Sequence, residues 1–111
     1  MTQTAISFIT PDELVHLRAA RADVRLVDVR TPGEFRDQRI DGSHNVPLDA
    51  VARHAPELRN VGGPVVIVCR SGARACAADE VLRTAGVEDV RVLEGGVLAW
   101  DDADHPTTGD R

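Results

Sequence analysis

The stretch Val65-Val66-Ile67-Val68-Cys69-Arg70-Ser71-Gly72-Ala73-Arg74-Ala75-Cys76 decides how the rest of the chain is read. Four β-branched apolar residues run into a cysteine. A short apolar run bounded by turn signals suits a strand buried on both faces, and Pro64 can stand at its first position without costing a ladder hydrogen bond. Arginine, serine and glycine then make a short loop, and the alanine-rich stretch from Ala73 to Ala85 reads as a helix closed by Gly86 at its C-terminal cap. The helix start turns free backbone N–H groups and the positive end of its dipole towards the loop. Arg70 and Arg74 add positive charge beside the thiol. The segment thus predicts an anion-binding cradle with a nucleophile at its floor.

Strand and helix signals alternate to either side. Ala5 to Ile9 suits an edge strand. Thr10-Pro11-Asp12-Glu13 starts a helix with a capping box and proline at its first position, and Leu14, Leu17 and Ala20 form its apolar stripe. Arg25 to Arg30 is a second strand, with Asp28 interrupting the apolar run at the end where ligands gather in open parallel sheets. Thr31-Pro32-Gly33-Glu34 repeats the capping pattern. An ion pair of Asp28 or Glu34 with Arg30 is the structural reading of these charges; the functional reading has them shape the wall beside Cys69. Asp41 to His44 is turn-rich, and Asn45 to Leu48 is extended ahead of a helix over about residues 50–58, capped by Asp49 and weakened by Pro56. Val87 to Leu93 predicts the next strand. Glu94-Gly95-Gly96 then allows a tight turn and close backbone approach, and Val97 to Trp100 begins a last helix, anchored on the core by the one tryptophan. The alternation implies an α/β fold with a mostly parallel sheet covered on both faces. It reads as a single domain over 1–111, with a core at about 6–100 and a loose acidic tail over 101–111.

Composition narrows the function classes. The net charge is -5, with no basic patch or interleaved aromatics, which argues against a nucleic-acid partner. All 13 cations are arginine, so lysine chemistry is excluded. Aromatic residues make up 3%, so the core must be aliphatic. Residues 1–10 lack a signal-peptide pattern, and no stretch approaches the roughly 20 apolar residues of a membrane span. A cytoplasmic protein with two free thiols is expected.

Three readings fit Cys69. As a small buried hydrophobe it leaves the neighbouring arginines, glycine and helix start unexplained. A cysteine phosphatase or arsenate reductase needs a thiolate and an arginine clamp six positions on, where Ala75 stands, with Arg74 one residue early. Sulfur transfer needs a thiolate that takes the outer sulfur of thiosulfate or a persulfide, in a ring of inward N–H groups. A small ring suits one sulfur atom.

Four segments resemble those of single-domain rhodaneses, the thiosulfate sulfurtransferase-like family, over about Ile6 to Trp100. They are Leu26-Val27-Asp28-Val29-Arg30 with Glu34-Phe35, Ile40-Asp41-Gly42-Ser43-His44-Asn45-Val46-Pro47, Cys69-Arg70-Ser71-Gly72-Ala73-Arg74, and Leu93-Glu94-Gly95-Gly96 with Trp100. Arg39 stands where the family often has histidine, and Ser43 replaces its usual alanine. The resemblance implies a rhodanese-like fold and an enzyme without cofactor or metal. Cys69 would carry a persulfide. The N–H groups of Arg70, Ser71, Gly72, Ala73 and Arg74 would form the cradle, with the two arginine side chains attracting an anionic donor. Arg74 could instead brace the loop by pairing with a carboxylate. Asp28 and Arg30 would support the site, and Cys76 would be a helix residue facing the core or resolve the persulfide. The donor would be thiosulfate or a persulfide and the acceptor cyanide, a small thiol or a sulfur-carrier protein. The family also holds non-catalytic members, so a sulfur-sensing or protein-binding module is the alternative.

Overall fold

The computed structural model describes residues 5–110; Met1 to Thr4 and Arg111, on which parts of the leader and tail readings fall, lie outside them. Five strands form one parallel sheet in the order β1-β5-β4-β2-β3. They are β1 Phe8–Ile9, β2 Arg25–Asp28, β3 Ser43–Asn45, β4 Val65–Val68 and β5 Val90–Leu93. The helices are α1 Pro11–Ala20, α2 Pro32–Asp37, α3 Val51–Arg59, α4 Ala73–Thr84 and α5 Gly96–Asp102, with one 3₁₀ turn at Leu48–Ala50.

The central strand explains the two-sided core. Successive side chains of a strand point to opposite faces. Val65 and Ile67 join a cluster with Val51, Ala55, Ala75, Ala78 and Leu82 of α3 and α4. Val66 and Val68 join Leu14, Val97 and Trp100 of α1 and α5. All four β4 residues are buried. Right-handed crossovers place the helices this way, because connections running in opposite directions along a sheet return over opposite faces. The connection after β2 runs outward to β3, whereas that after β4 runs the other way to β5. Strands β2 and β4 are neighbours, with Asp28 opposite Val68. Their carboxyl ends therefore flank the sheet's switch point, the crevice where open α/β sheets bind ligands.

Both capping boxes form as read, at Thr10 with Glu13 and at Thr31 with Glu34. Helix α4 ends at Thr84, with Gly86 in a positive-φ turn just beyond. Four expectations need correction. Asp49 makes no cap, because the 3₁₀ turn places Ala50 ahead of α3 and no side chain caps it. Helix α3 itself agrees with the expected span: it runs through Pro56 to Arg59, since Ala52, whose carbonyl loses its helical donor, and Pro56 both lie on the exposed face. Strand β5 starts at Val90 rather than Val87, and β3 covers Ser43 to Asn45 rather than the residues after it. The tail expected to be loose is held. Helix α5 extends to Asp102, Trp100 Nε1 donates to the Pro106 carbonyl at 2.9 Å, and Thr108 bridges to Arg39 antiparallel.

Candidate active site

Cys69 follows β4 and is almost wholly buried at the base of the loop. Its Sγ accepts hydrogen bonds from the backbone N–H groups of Gly72 at 2.9 Å and Ala75 at 3.3 Å. Gly72 has a φ of 124°, which turns the chain so sharply that the loop curls round the sulfur before α4 begins. Ala73 and Arg74 occupy the first helical positions, where N–H groups have no intrahelical acceptor. The helix dipole adds its positive end at the same place. Donated N–H groups and a helix N-terminus stabilise an anion on sulfur. The ring thus includes Ala75, outside the expected set of Arg70 to Arg74.

The loop is also held from behind. Val97 N–H donates to the Cys69 carbonyl at 2.8 Å, and Leu98 N–H to the Arg70 carbonyl at 3.1 Å. Both donors come from the start of α5, so the loop rests against a second helix N-terminus. Gly96 makes the approach feasible: a Cβ there would collide with the Cys69 and Arg70 carbonyls. The close backbone approach read from Gly95-Gly96 has this as its cause.

The two loop arginines differ. Arg74 forms a two-point ion pair with Glu34 of α2, at 2.8 and 3.0 Å. Arg70 is exposed at the loop's rim and forms no ion pair among the described residues. Arg74 is therefore the brace and Arg70 the open cation. The Arg74 guanidinium holds the Glu34 carboxyl down at about 2, helped by the Thr31 N–H and opposed by burial. Glu34 in turn raises the Arg74 guanidinium above its ordinary value, with Cys69 and Asp28 adding to the effect.

This pair carries a pH signature. A carboxyl lowered from 4.5 to about 2 stabilises the fold above its unfolded value and loses that contribution as pH falls between the two. The melting temperature of the wild type is expected to exceed that of Glu34→Gln above pH ~5, and the gap should narrow towards pH ~2. A gap that stays constant across a thermal-melting series over that range would show the pair to be without energetic weight.

Asp28 and Arg30 lie behind this layer, both buried and paired at 2.7 Å. The Asp28 carboxylate also accepts the Arg30 backbone N–H at 3.0 Å, and Arg30 Nη2 donates to the Gln38 carbonyl at the end of α2. Glu34 is not ion-paired with Arg30; its carboxylate bonds Arg74. Asn45, which the sequence reading did not single out as a site residue, donates from Nδ2 to the carbonyls of Asp28 at 3.1 Å and Arg30 at 3.0 Å. It ties β3 to the turn that carries the buried pair. The quoted segment around Asn45 was the only signal for it.

Cys76 lies half-buried on α4 and packs against the core. Burial, with Cys69 and Asp79 nearby, pushes its thiol up. It stays protonated at neutral pH, which suits a packing residue better than an attacking one. Two hollows flank the loop. One of about 260 Å³ is lined by Arg70, Glu34, Asp37, Val97 and Leu98 among others. A less polar one of about 380 Å³ lies between Val29, Pro32, Pro47, Leu48 and Arg74. Each is sized for a small molecule or one extended side chain. No helix among the described residues is long and apolar enough to cross a membrane, and no described group of His, Cys, Asp and Glu could hold a metal ion.

The profile of the rhodanese-like domain matches residues 10–103. An uncharacterized protein of Synechocystis, slr1261, is 41% identical over 107 residues, covering 96% of this chain and 58% of that protein. The chain thus spans somewhat more than half the length of that relative. The thiosulfate sulfurtransferase GlpE of Shewanella oneidensis is 30% identical, over 90% of this chain and 97% of its own length. The crystal structure of a rhodanese-like domain protein from Staphylococcus aureus superposes with a TM-score of 0.79 at 29% identity, covering 96% of this chain and 100% of that one.

Proposed function

The chain belongs to the rhodanese-like domain family, and from that premise we propose that it is a sulfurtransferase working through a persulfide on Cys69. The observation that carries this reading is the convergence of the Gly72 and Ala75 N–H groups on Cys69 Sγ at the start of α4. The Cys69 thiolate attacks the outer sulfur of thiosulfate. A new S–S bond forms, the old one breaks, and sulfite leaves with the electron pair. The terminal sulfur of the persulfide is then an anion in the same field, which the free N–H groups at the start of α4 stabilise. An acceptor thiolate or cyanide attacks that outer sulfur, and the Cys69 thiolate departs to its two donors.

Arg70 draws the donor dianion to the loop's rim, while Arg74, bound to Glu34, holds the loop's shape. The same pairing argues against phosphate-ester cleavage. Ala75 presents a backbone N–H where a phosphatase would place its clamp, and Arg74 is already engaged.

Intact-protein mass spectrometry after brief incubation with thiosulfate and desalting tests the proposal. A gain of one sulfur, mapped by digestion to the peptide holding Cys69, is the expected result. No gain from thiosulfate or from a small persulfide, with Cys69 still open to alkylation, would overturn it.

A further inference from the structure

The segment after α5 returns across α2, the helix that supplies the brace on the Cys69 loop. Thr107 Oγ1 accepts from Gln38 Nε2 at 3.2 Å. Thr108 exchanges two backbone hydrogen bonds with Arg39, at 2.7 and 2.8 Å. Asp110 N–H donates to the Arg36 carbonyl at 3.0 Å. The segment is anchored at its other end: Trp100 Nε1 donates to Pro106, and His105 Nε2 lies 2.8 Å from Asp12 Oδ1 on α1. Residues 105–110 thus form a strap from α1 and α5 to the end of α2.

Gly109 shows how closely the strap is seated. A Cβ there would strike the Asp37 carbonyl oxygen and come within 2.6 Å of the Asp37 carbonyl carbon and 2.9 Å of Gln38 Cα. Backbone is the obstacle, so no side-chain adjustment relieves it. The contact reaches the residues that end α2 and that also meet the buried pair, since Arg30 Nη2 bonds the Gln38 carbonyl. Glu34 lies one turn earlier, and its carbonyl accepts the Gln38 N–H at 3.0 Å. Helix α2 has only six residues and none of them is buried. Core packing therefore does little to fix it, and a helix this short does not hold itself.

We propose that Gly109 is a positioning residue for the sulfur-transfer site: it seats the 105–110 strap on the end of α2, which aims Glu34 at Arg74 and so keeps the Gly72 and Ala75 N–H groups on Cys69. The catalytic part of this rests on the sulfurtransferase reading; the structural part does not. Gly109→Val levers the strap from α2 without touching the site. Thr107→Val, which removes only the Gln38 contact, is the milder second variant.

Amide hydrogen exchange measured by NMR reads the loop without any sulfur donor. In Gly109→Val the Gly72 and Ala75 amides are expected to exchange roughly tenfold faster, with Leu82, the last buried residue of α4, unchanged. In a Glu34→Gln background the same substitution should add little, because two changes acting through one ion pair are not additive. Thr107→Val should show a smaller rise in the same amides. Sulfur uptake from thiosulfate should slow in parallel. A general loss of stability would instead speed exchange at Leu82 as well, and a strap unrelated to the brace would give the full effect in the Glu34→Gln background; either result overturns the proposal. If the wild type takes up no sulfur but the exchange pattern holds, the strap stands and the sulfurtransferase reading falls.

Discussion

Cys69→Ser is expected to take up no sulfur from thiosulfate, a fall of at least ~10³-fold against the wild type. The serine variant should still fold, because a hydroxyl oxygen can accept the Gly72 and Ala75 N–H groups that the sulfur now accepts. It fills nearly the same space at a fully buried position. Its failure would therefore be chemical: the N–H ring stabilises an anion, but a serine hydroxyl lies too far from ionisation at neutral pH to supply one. Cys76→Ser supplies the contrast. Its thiol is held protonated by burial and by the neighbouring Cys69 and Asp79, so removing it should leave uptake within about twofold. The measurement is the time course of sulfur gain by intact mass, with circular dichroism to show that each variant is folded. Sulfur gain by Cys69→Ser would move the nucleophile elsewhere. Loss of gain in Cys76→Ser alone would make the α4 thiol the carrier.

What could be read from sequence follows from how local each cause is. The capping boxes at Thr10 and Thr31 depend on residues three positions apart, and both formed as read. Strand β4, an unbroken apolar run, and helix α4, alanine-rich and closed by Gly86, carry strong local signals, and the cysteine between them could only fall at the sheet's carboxyl end. Contacts across long separations left fainter traces. The Glu34–Arg74 pair joins residues 40 positions apart. The sequence offered Glu34 only Arg30 as a named partner and offered Arg74 a carboxylate it did not name, and only the crevice geometry brings the two together. Asn45 reaches Asp28 and Arg30 because β3 lies beside β2 in register, with Asn45 opposite Asp28. The tail looked loose because its residues are polar and turn-forming. It is held by backbone hydrogen bonds and by glycine packing, neither of which composition reveals. Ala75 joins the ring through its N–H, a group every residue except proline possesses, so its side chain carried no signal.

The largest effect on stability should come from Arg30→Ala. Asp28 is fully buried, and its two oxygens take three side-chain bonds from Arg30 besides one backbone N–H. Removing the guanidinium leaves a buried carboxylate with a single donor, which costs about 3–5 kcal/mol. At ~4–8 °C per kcal/mol for a domain near this size, the melting temperature should fall by roughly 12 °C or more at neutral pH. The loss says little about the pair's net worth, because most of it is the cost of stranding one charge. Arg30→Met with Asp28→Leu removes both charges and keeps the volume, so it should regain most of the lost melting temperature. Sulfur uptake should not return with it. The guanidinium also holds the Gln38 carbonyl, and without that bond the end of α2 loses one of the ties that keep Glu34 facing Arg74. Thermal melting and sulfur uptake of the single and double variants therefore separate two roles of one ion pair. Stability would be recoverable by apolar packing, whereas the aim of α2 needs the arginine. A single variant that melts within a few degrees of the wild type would show that Asp28 finds another donor, and a double variant with full uptake would show that the Gln38 contact does not steer the loop.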